Sequence, residues 1–186
     1  MQSQAISNFV LGLIIGAGAL WSPLAQTNNR ESLGGKNKEP SLCDIGDTVF
    51  FTCTTNNKKI ISLCGKGKAD NPSGAYYRFG RKNKIELDFP ENKDESSFLQ
   101  FSKSHYFRAM VNLQGVFFEN KGYSYTLYYE YRGDEPGVKE IRKSGVSVGK
   151  TATGEKLADI KCNSNYIVKF SDFNEKIKCE DGVFCN

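Results

Sequence analysis

Six cysteines, Cys43, Cys53, Cys64, Cys162, Cys179 and Cys185, are the side chains of this 186-residue chain with the plainest covalent chemistry. No two stand as a Cys-x-x-Cys pair, and His105 is the only histidine, so a zinc site would have to be nearly all thiolate. In a protein that leaves the cytoplasm such cysteines oxidise to disulfides, which removes them as nucleophiles. Neither a metal nor any other cofactor is expected.

The remaining catalytic candidates are thin. His105 lies in Ser102-Lys103-Ser104-His105-Tyr106. A Ser–His hydrolase needs a serine facing the imidazole, a buried acid behind it and an oxyanion hole. No Gly-x-Ser-x-Gly elbow occurs, and Ser104 adjoins the ring in sequence rather than facing it. Gly149-Lys150-Thr151 has the ending of a phosphate-binding loop, but Ser144 occupies the position where that loop requires glycine. Glu119 and Glu130 fall on adjacent predicted strands, and a carboxylate-pair glycosidase depends on a separation that the sequence does not set. No catalytic residue is assigned.

Binding chemistry is better represented. Between Lys58 and Lys84 there are eight cations (Lys58, Lys59, Lys66, Lys68, Arg78, Arg81, Lys82, Lys84) against one acid, Asp70. Aromatic residues interleave with them, and Tyr76, Tyr77, Arg78, Phe79, Arg81 and Lys82 form the candidate binding set. Cations would attract an acidic partner while aromatic faces supply contact area. The competing reading is local neutralisation by Glu86, Asp88, Glu91, Asp94 and Glu95, which follow directly and would form exposed pairs of little net energy. A second candidate face is the stripe Tyr123, Tyr125, Leu127, Tyr129 and Tyr131, which alternation equally explains as the inner side of a half-buried strand.

These residues must be positioned by strands. Thr48–Cys53 and Lys59–Cys64 are β-branched and apolar with Asn56-Asn57 between them, a hairpin signal. Pairing Thr55 with Lys58 brings Cys43 and Cys64 to one end of the hairpin and favours a bridge between them. Cys179 and Cys185 would then close a small C-terminal loop, leaving Cys53 for Cys162. Further strands are predicted at Ala75–Gly80, Lys84–Phe89, His105–Asn112, Gly115–Glu119, Gly122–Tyr131, Val138–Arg142, Val146–Val148 and Leu157–Cys162. A tight turn at Lys121-Gly122 sets Phe118 opposite Tyr125 and Val116 opposite Leu127, apolar on apolar. Helical spacing occurs only at Ile167, Phe170, Phe173 and Ile177. The fold class expected is mainly β: a single antiparallel β-sandwich or small barrel with a short C-terminal helix, stapled by disulfides.

Residues 1–25 carry no charge and include the apolar run Phe9–Trp21, broken by three glycines. They read as a signal peptide cut after Ala25, or after Ala19, with an uncleaved anchor as the alternative. Residues 26–41 read as a flexible linker, and residues 42–186 as one β-rich domain. Only an uncleaved leader would involve a membrane, and a net charge of +4 is too small for a dedicated nucleic-acid binder.

One further pattern combines Cys43-x-x-Gly46-Asp47, Phe51-x-Cys53, Ser62-Leu63-Cys64, Tyr77-Arg78-Phe79-Gly80 and Glu86-x-x-Phe89-Pro90. In order and spacing it resembles a group of small exported bacterial proteins over roughly residues 43–162. The resemblance implies a β-rich fold and an exported compartment, and assigns no activity or site. The reading that follows is a periplasmic or secreted binding module with a protein partner or an envelope glycan. Its most concrete form is an inhibitor or immunity-type protein. The alternatives are a secreted hydrolase of envelope polymers, so that enzymatic activity stays open, and a host-facing secreted factor.

Overall fold

Alternating apolar and polar residues build ten strands in the computed structural model, which describes residues 39–68, 71–133, 139–174, 176–180 and 184–185. They are β1 (Thr48–Thr55), β2 (Ile60–Gly65), β3 (Ala75–Arg81), β4 (Lys84–Phe89), β5 (Ser102–Arg108), β6 (Val111–Asn120), β7 (Tyr123–Arg132), β8 (Ile141–Lys150), β9 (Lys156–Val168) and β10 (Lys178–Cys179). A 3-10 turn spans Glu95–Gln100, and one helix, α1, spans Phe170–Asn174.

The strand order is β10-β5-β6-β7-β8-β9-β1-β2-β3-β4. Neighbours are antiparallel except for β10 beside β5. The long strand β9 joins two halves: Lys156 to Lys161 pair with β8, and Cys162 to Val168 pair with β1. The halves face each other through aromatic rings. Phe118 of β6 lies 4.9 Å from Tyr77 of β3 and 4.6 Å from Phe89 of β4, ring centre to ring centre. The fold is therefore the mainly β, antiparallel, disulfide-stapled architecture with a short helix that the alternation predicts.

Cross-strand rows explain the layers. Phe51, Leu63, Tyr77 and Phe89 align across β1 to β4 and point into the core. One residue along, Thr52, Ser62, Arg78 and Asp88 align on the opposite face. In the other half, Val116, Leu127, Val146 and Ile160 form the matching apolar row. The expected pairs Phe118–Tyr125 and Val116–Leu127 are present, and the turn uses Lys121 and Gly122 at φ 51° and 81°.

Three disulfides are formed: Cys43–Cys64, Cys53–Cys162 and Cys179–Cys185. The first is the bridge the hairpin argument favours and the other two match the loop closure and the remaining pair, and all three fit a compartment outside the reducing cytoplasm. Among the described residues no helix is long and apolar enough to cross a membrane.

Several local expectations need correction. The first hairpin pairs Thr54 with Ile60, not Thr55 with Lys58, because Lys58 takes φ 57° and closes a three-residue loop. His105–Asn112 is not one strand. The chain reverses at Ala109-Met110, with Met110 at φ 63°, and this places Phe107 at an exposed hairpin tip. The short strands expected near 146–148 and 157–162 extend into β8 and β9, and Val138 lies outside the described residues. Ile167 belongs to β9, where it pairs with Thr52, while Phe170 and Phe173 alone form the apolar face of α1. The end of the expected linker is also ordered: residues 39–41 lie against the sheet, with Glu39 accepting from Thr54 N at 3.0 Å and Pro40 O accepting from Thr52 Oγ1 at 2.8 Å.

Candidate functional site

The sequence-derived binding set splits between the two faces of β3. Tyr77 points inward and is 1% exposed, so it is core. Phe79 is half-buried on the same face, with Lys59 Nζ 5.1 Å above its ring. Tyr76 points the other way yet is 0% exposed, because Arg78 and Lys93 lie over its ring and the segment around Leu42–Asp47 covers its edge. Tyr76 and Tyr77 offer no surface to a partner, which corrects the expected aromatic patch. The signal was misleading because two consecutive strand residues point to opposite faces, and only the covering segment decides whether the outward one is exposed.

Arg78 is likewise structural. Its guanidinium donates to Asp44 Oδ1 at 2.6 Å, to Asp44 Oδ2 at 3.3 Å and to Leu42 O at 2.9 Å. Its Nε lies 3.2 Å from Asp88 Oδ2 without the alignment of a hydrogen bond. Burial opposes its charge, but the hydrogen bonds to Asp44 and the nearby Asp88 outweigh that and raise its pKa. The Arg78 hydrogen bond in turn holds the Asp44 carboxyl below the usual carboxylate range. Lys59 pairs with Glu86 at 2.6 Å and Lys93 with Asp88 at 3.2 Å. Local neutralisation thus accounts for this part of the basic segment.

What remains is a cationic groove between two hairpin tips. The β1–β2 turn supplies Lys58, and the β3–β4 turn supplies Arg81, Lys82 and Lys84, all exposed. Arg81 Nη2 donates to Asn57 O at 3.3 Å and ties the tips together. The groove encloses about 580 Å³ over Pro40, Thr54 and Ile60. Lys58, Lys82 and Lys84 make no ion pair among the described residues, and Glu86, the acid in the groove, is already held by Lys59. Of the six expected binding residues, the structure keeps Arg81 and Lys82 on an open surface and adds Lys58 and Lys84. Those two were visible as charges, but only the adjacency of the two turns groups them.

The tyrosine stripe divides by depth. Leu127 is buried, Tyr125 and Tyr129 pack against the core at its edge, and Tyr123 is exposed at the strand end. Tyr128, on the opposite face, donates to Asp159 Oδ1 at 2.9 Å.

The hydrolase candidates do not assemble. His105 Nε2 lies 3.1 Å from Asn112 Oδ1, which also accepts from Gln114 Nε2 at 3.1 Å, so the side chain beside the imidazole is an amide and not an acid. Ser104 and His105 are consecutive strand residues with opposed side chains. Glu119 is opposite Ser124 and Glu130 is opposite Leu113, six residues apart along β7, or about 20 Å. Paired-carboxylate glycosidases place these groups within about 5–10 Å. Glu119 instead shares a hollow of about 380 Å³ with Glu180, Tyr125 and Lys178, and there Ser102 Oγ donates to Glu180.

Comparison of the chain with protein families, curated proteins and solved structures found no match.

Proposed function

We propose that this protein is an exported binding module that contacts a protein partner through the cationic groove at the β1–β2 and β3–β4 tips, as an inhibitor or immunity-type protein does. The single observation that carries this reading is the set Lys58, Arg81, Lys82 and Lys84 around Pro40 and Ile60, where four cations meet one carboxylate, Glu86, which is already paired with Lys59. Gathering cations this way is unfavourable for the isolated fold and favourable only when acids arrive from outside. Three disulfides and an aromatic core make the tips a rigid platform, which lowers the ordering cost of association. The bonded cysteines and the apolar leader together support the exported part of this reading.

The test is affinity capture from envelope extract. The oxidised domain and its Arg81→Glu/Lys82→Glu/Lys84→Glu variant serve as parallel baits, with mass spectrometry as readout. Arg78 is left intact because its charge holds Asp44 and Asp88. The expected result is a stoichiometric protein retained by the wild type, weakened by added salt and lost by the variant. A blank, or a partner held equally by both baits, rejects the reading.

A further inference from the structure

The inner face of β5 to β8 continues past the core toward the β5–β6 hairpin tip. Two residues beyond the apolar row Val116, Leu127 and Val146, the cross-strand pairs align His105, Gln114, Tyr129 and Ser144. Two residues further they align Phe107, Asn112, Tyr131 and Arg142. The β1–β4 half covers the opposite end of this face, where Tyr77 packs on Phe118 and Tyr125. Exposure rises toward the tip: Ser144 is 3% exposed, Tyr129 and Tyr131 are half-buried, and Phe107 is 62% exposed. Four strands spaced about 4.8 Å apart make the two rows about 14 Å wide.

The polar groups on these rows are already oriented. Gln114 Nε2 donates to Asn112 Oδ1 at 3.1 Å, and His105 Nε2 lies 3.1 Å from the same oxygen. Asn112 Nδ2 is thereby left as a donor and Gln114 Oε1 as an acceptor, each without a partner among the described residues. Ser144 Oγ is buried and likewise unpartnered among them. Such atoms are rare, and they mark bonding that a water or another molecule completes. Both tyrosine rings are held in place: the Arg142 guanidinium lies 4.7 Å from the Tyr131 ring centre, and Tyr166 of β9 lies 6.1 Å from Tyr129. No side chain of the two rows is a carboxylate, and the Arg142 charge is met by Glu140.

That composition narrows the ligand. Strands β5 to β8 are each paired on both edges, so an extended peptide gains no main-chain hydrogen bonds here. Every side chain of the two rows except Phe107 carries a polar atom, whereas the centre of a protein interface is apolar. With its arginine already paired, the face also lacks the free cations that a phosphate or sulfate would need. A pyranose ring suits it: the C–H groups of the sugar pack on tyrosine rings while its hydroxyls pair with amides and imidazole. The open donor and acceptor complement a secondary amide, which offers one C=O and one N–H. We propose that the inner face of β5–β8 binds a neutral glycan of N-acetylhexosamine units, with Tyr129 and Tyr131 against the sugar rings and Asn112 and Gln114 on an acetamido group. This site lies in the other half of the sheet from the cationic groove and does not rest on it.

The oxidised protein is titrated with the hexamer of β-linked N-acetylglucosamine and, for comparison, with the β-linked glucose hexamer. His105 is the only histidine, so its imidazole NMR signals report on the face without any substitution. The expected result is a saturable shift of those signals by the N-acetylglucosamine hexamer, and binding of the glucose hexamer weaker by at least about tenfold. By calorimetry, Tyr131→Ala and Gln114→Ala should each weaken the first hexamer by about tenfold. The groove variant Arg81→Glu/Lys82→Glu/Lys84→Glu should bind it as the wild type does. Imidazole signals unmoved by millimolar N-acetylglucosamine hexamer overturn the site, as does wild-type affinity in both Tyr131→Ala and Gln114→Ala. Equal affinity for the two hexamers overturns the roles of Asn112 and Gln114, and the proposal with them. Capture of a protein by the groove is decided by neither result, so the two readings fail separately.

Discussion

At the scale of single residues, the outward face of β1–β3 is governed by a row of polar side chains that grips its own N-terminal segment. Thr52 and Ser62 hydroxyls lie 3.0 Å apart, and Pro40, Leu42 and Asp44 are each held by a member of the row or by Tyr76. The sequence marks Arg78 as a binding residue because it is a cation between aromatics; its true role is visible only when Asp44, distant in sequence, is placed beside it. The pH consequence has a definite sign. The Asp44 carboxyl titrates below its ordinary value of 3.8 in the folded state, so its contribution is complete above that value and is lost as pH falls through the lowered pKa. Asp44→Asn should therefore flatten part of the decline in stability as pH falls below the ordinary carboxylate value of 3.8. The effect should be under about 1 kcal/mol, because the carboxylate is largely exposed. Urea midpoints of both proteins at neutral and acid pH measure this, and an unchanged acid decline would reject it.

At the scale of elements, strands with strict alternation are legible and turns without signature residues are not. β7 and its partner β6 could be registered from Val116, Phe118, Tyr125 and Leu127 because a slip by one residue would turn every apolar side chain outward. The reversal at Ala109-Met110 was hidden because neither residue is a usual turn former. Helix α1 is the opposite case. Five residues cannot hold a helix by local hydrogen bonds, so α1 depends on its buried rings. Phe173 lies 5.0 Å from Phe50, 5.8 Å from Phe101 and 6.1 Å from Phe98, and Phe170 stacks 5.4 Å from Phe51. Phe173→Ala should cost about 3–5 kcal/mol in chemical denaturation. A loss under about 1 kcal/mol would mean that α1 is an appendage and not part of the core.

At the scale of the whole molecule, the disulfides divide the work by loop length. Cys53–Cys162 spans 109 residues and ties β1 to β9 at the strand where the two halves meet. Cys43–Cys64 spans 21 residues and Cys179–Cys185 spans 6. Loop-closure entropy then ranks their removal by paired Cys→Ala substitution at about 5, 3 and 2 kcal/mol respectively. Denaturation of the three double variants tests the ranking, and a larger loss from the Cys179/Cys185 pair than from the Cys53/Cys162 pair would reverse it.

What the sequence by itself determined are the properties set by short-range pattern: mainly β architecture, the β6–β7 hairpin with its register, the inner faces of β4, β6 and β7, and a cysteine pairing that hairpin geometry narrows. Each follows from alternation or from turn chemistry within a few residues. Only the tertiary structure decided which charges are spent and which are free. Lys59, Arg78 and Lys93 are held by carboxylates on other strands or in the N-terminal segment, while Lys58, Arg81, Lys82 and Lys84 converge where two hairpin tips meet. The same holds for Tyr76, buried by a segment that reads as linker. Burial and ion pairing are set by contacts between residues far apart in the chain, and periodicity within one strand carries no information about what will cover it.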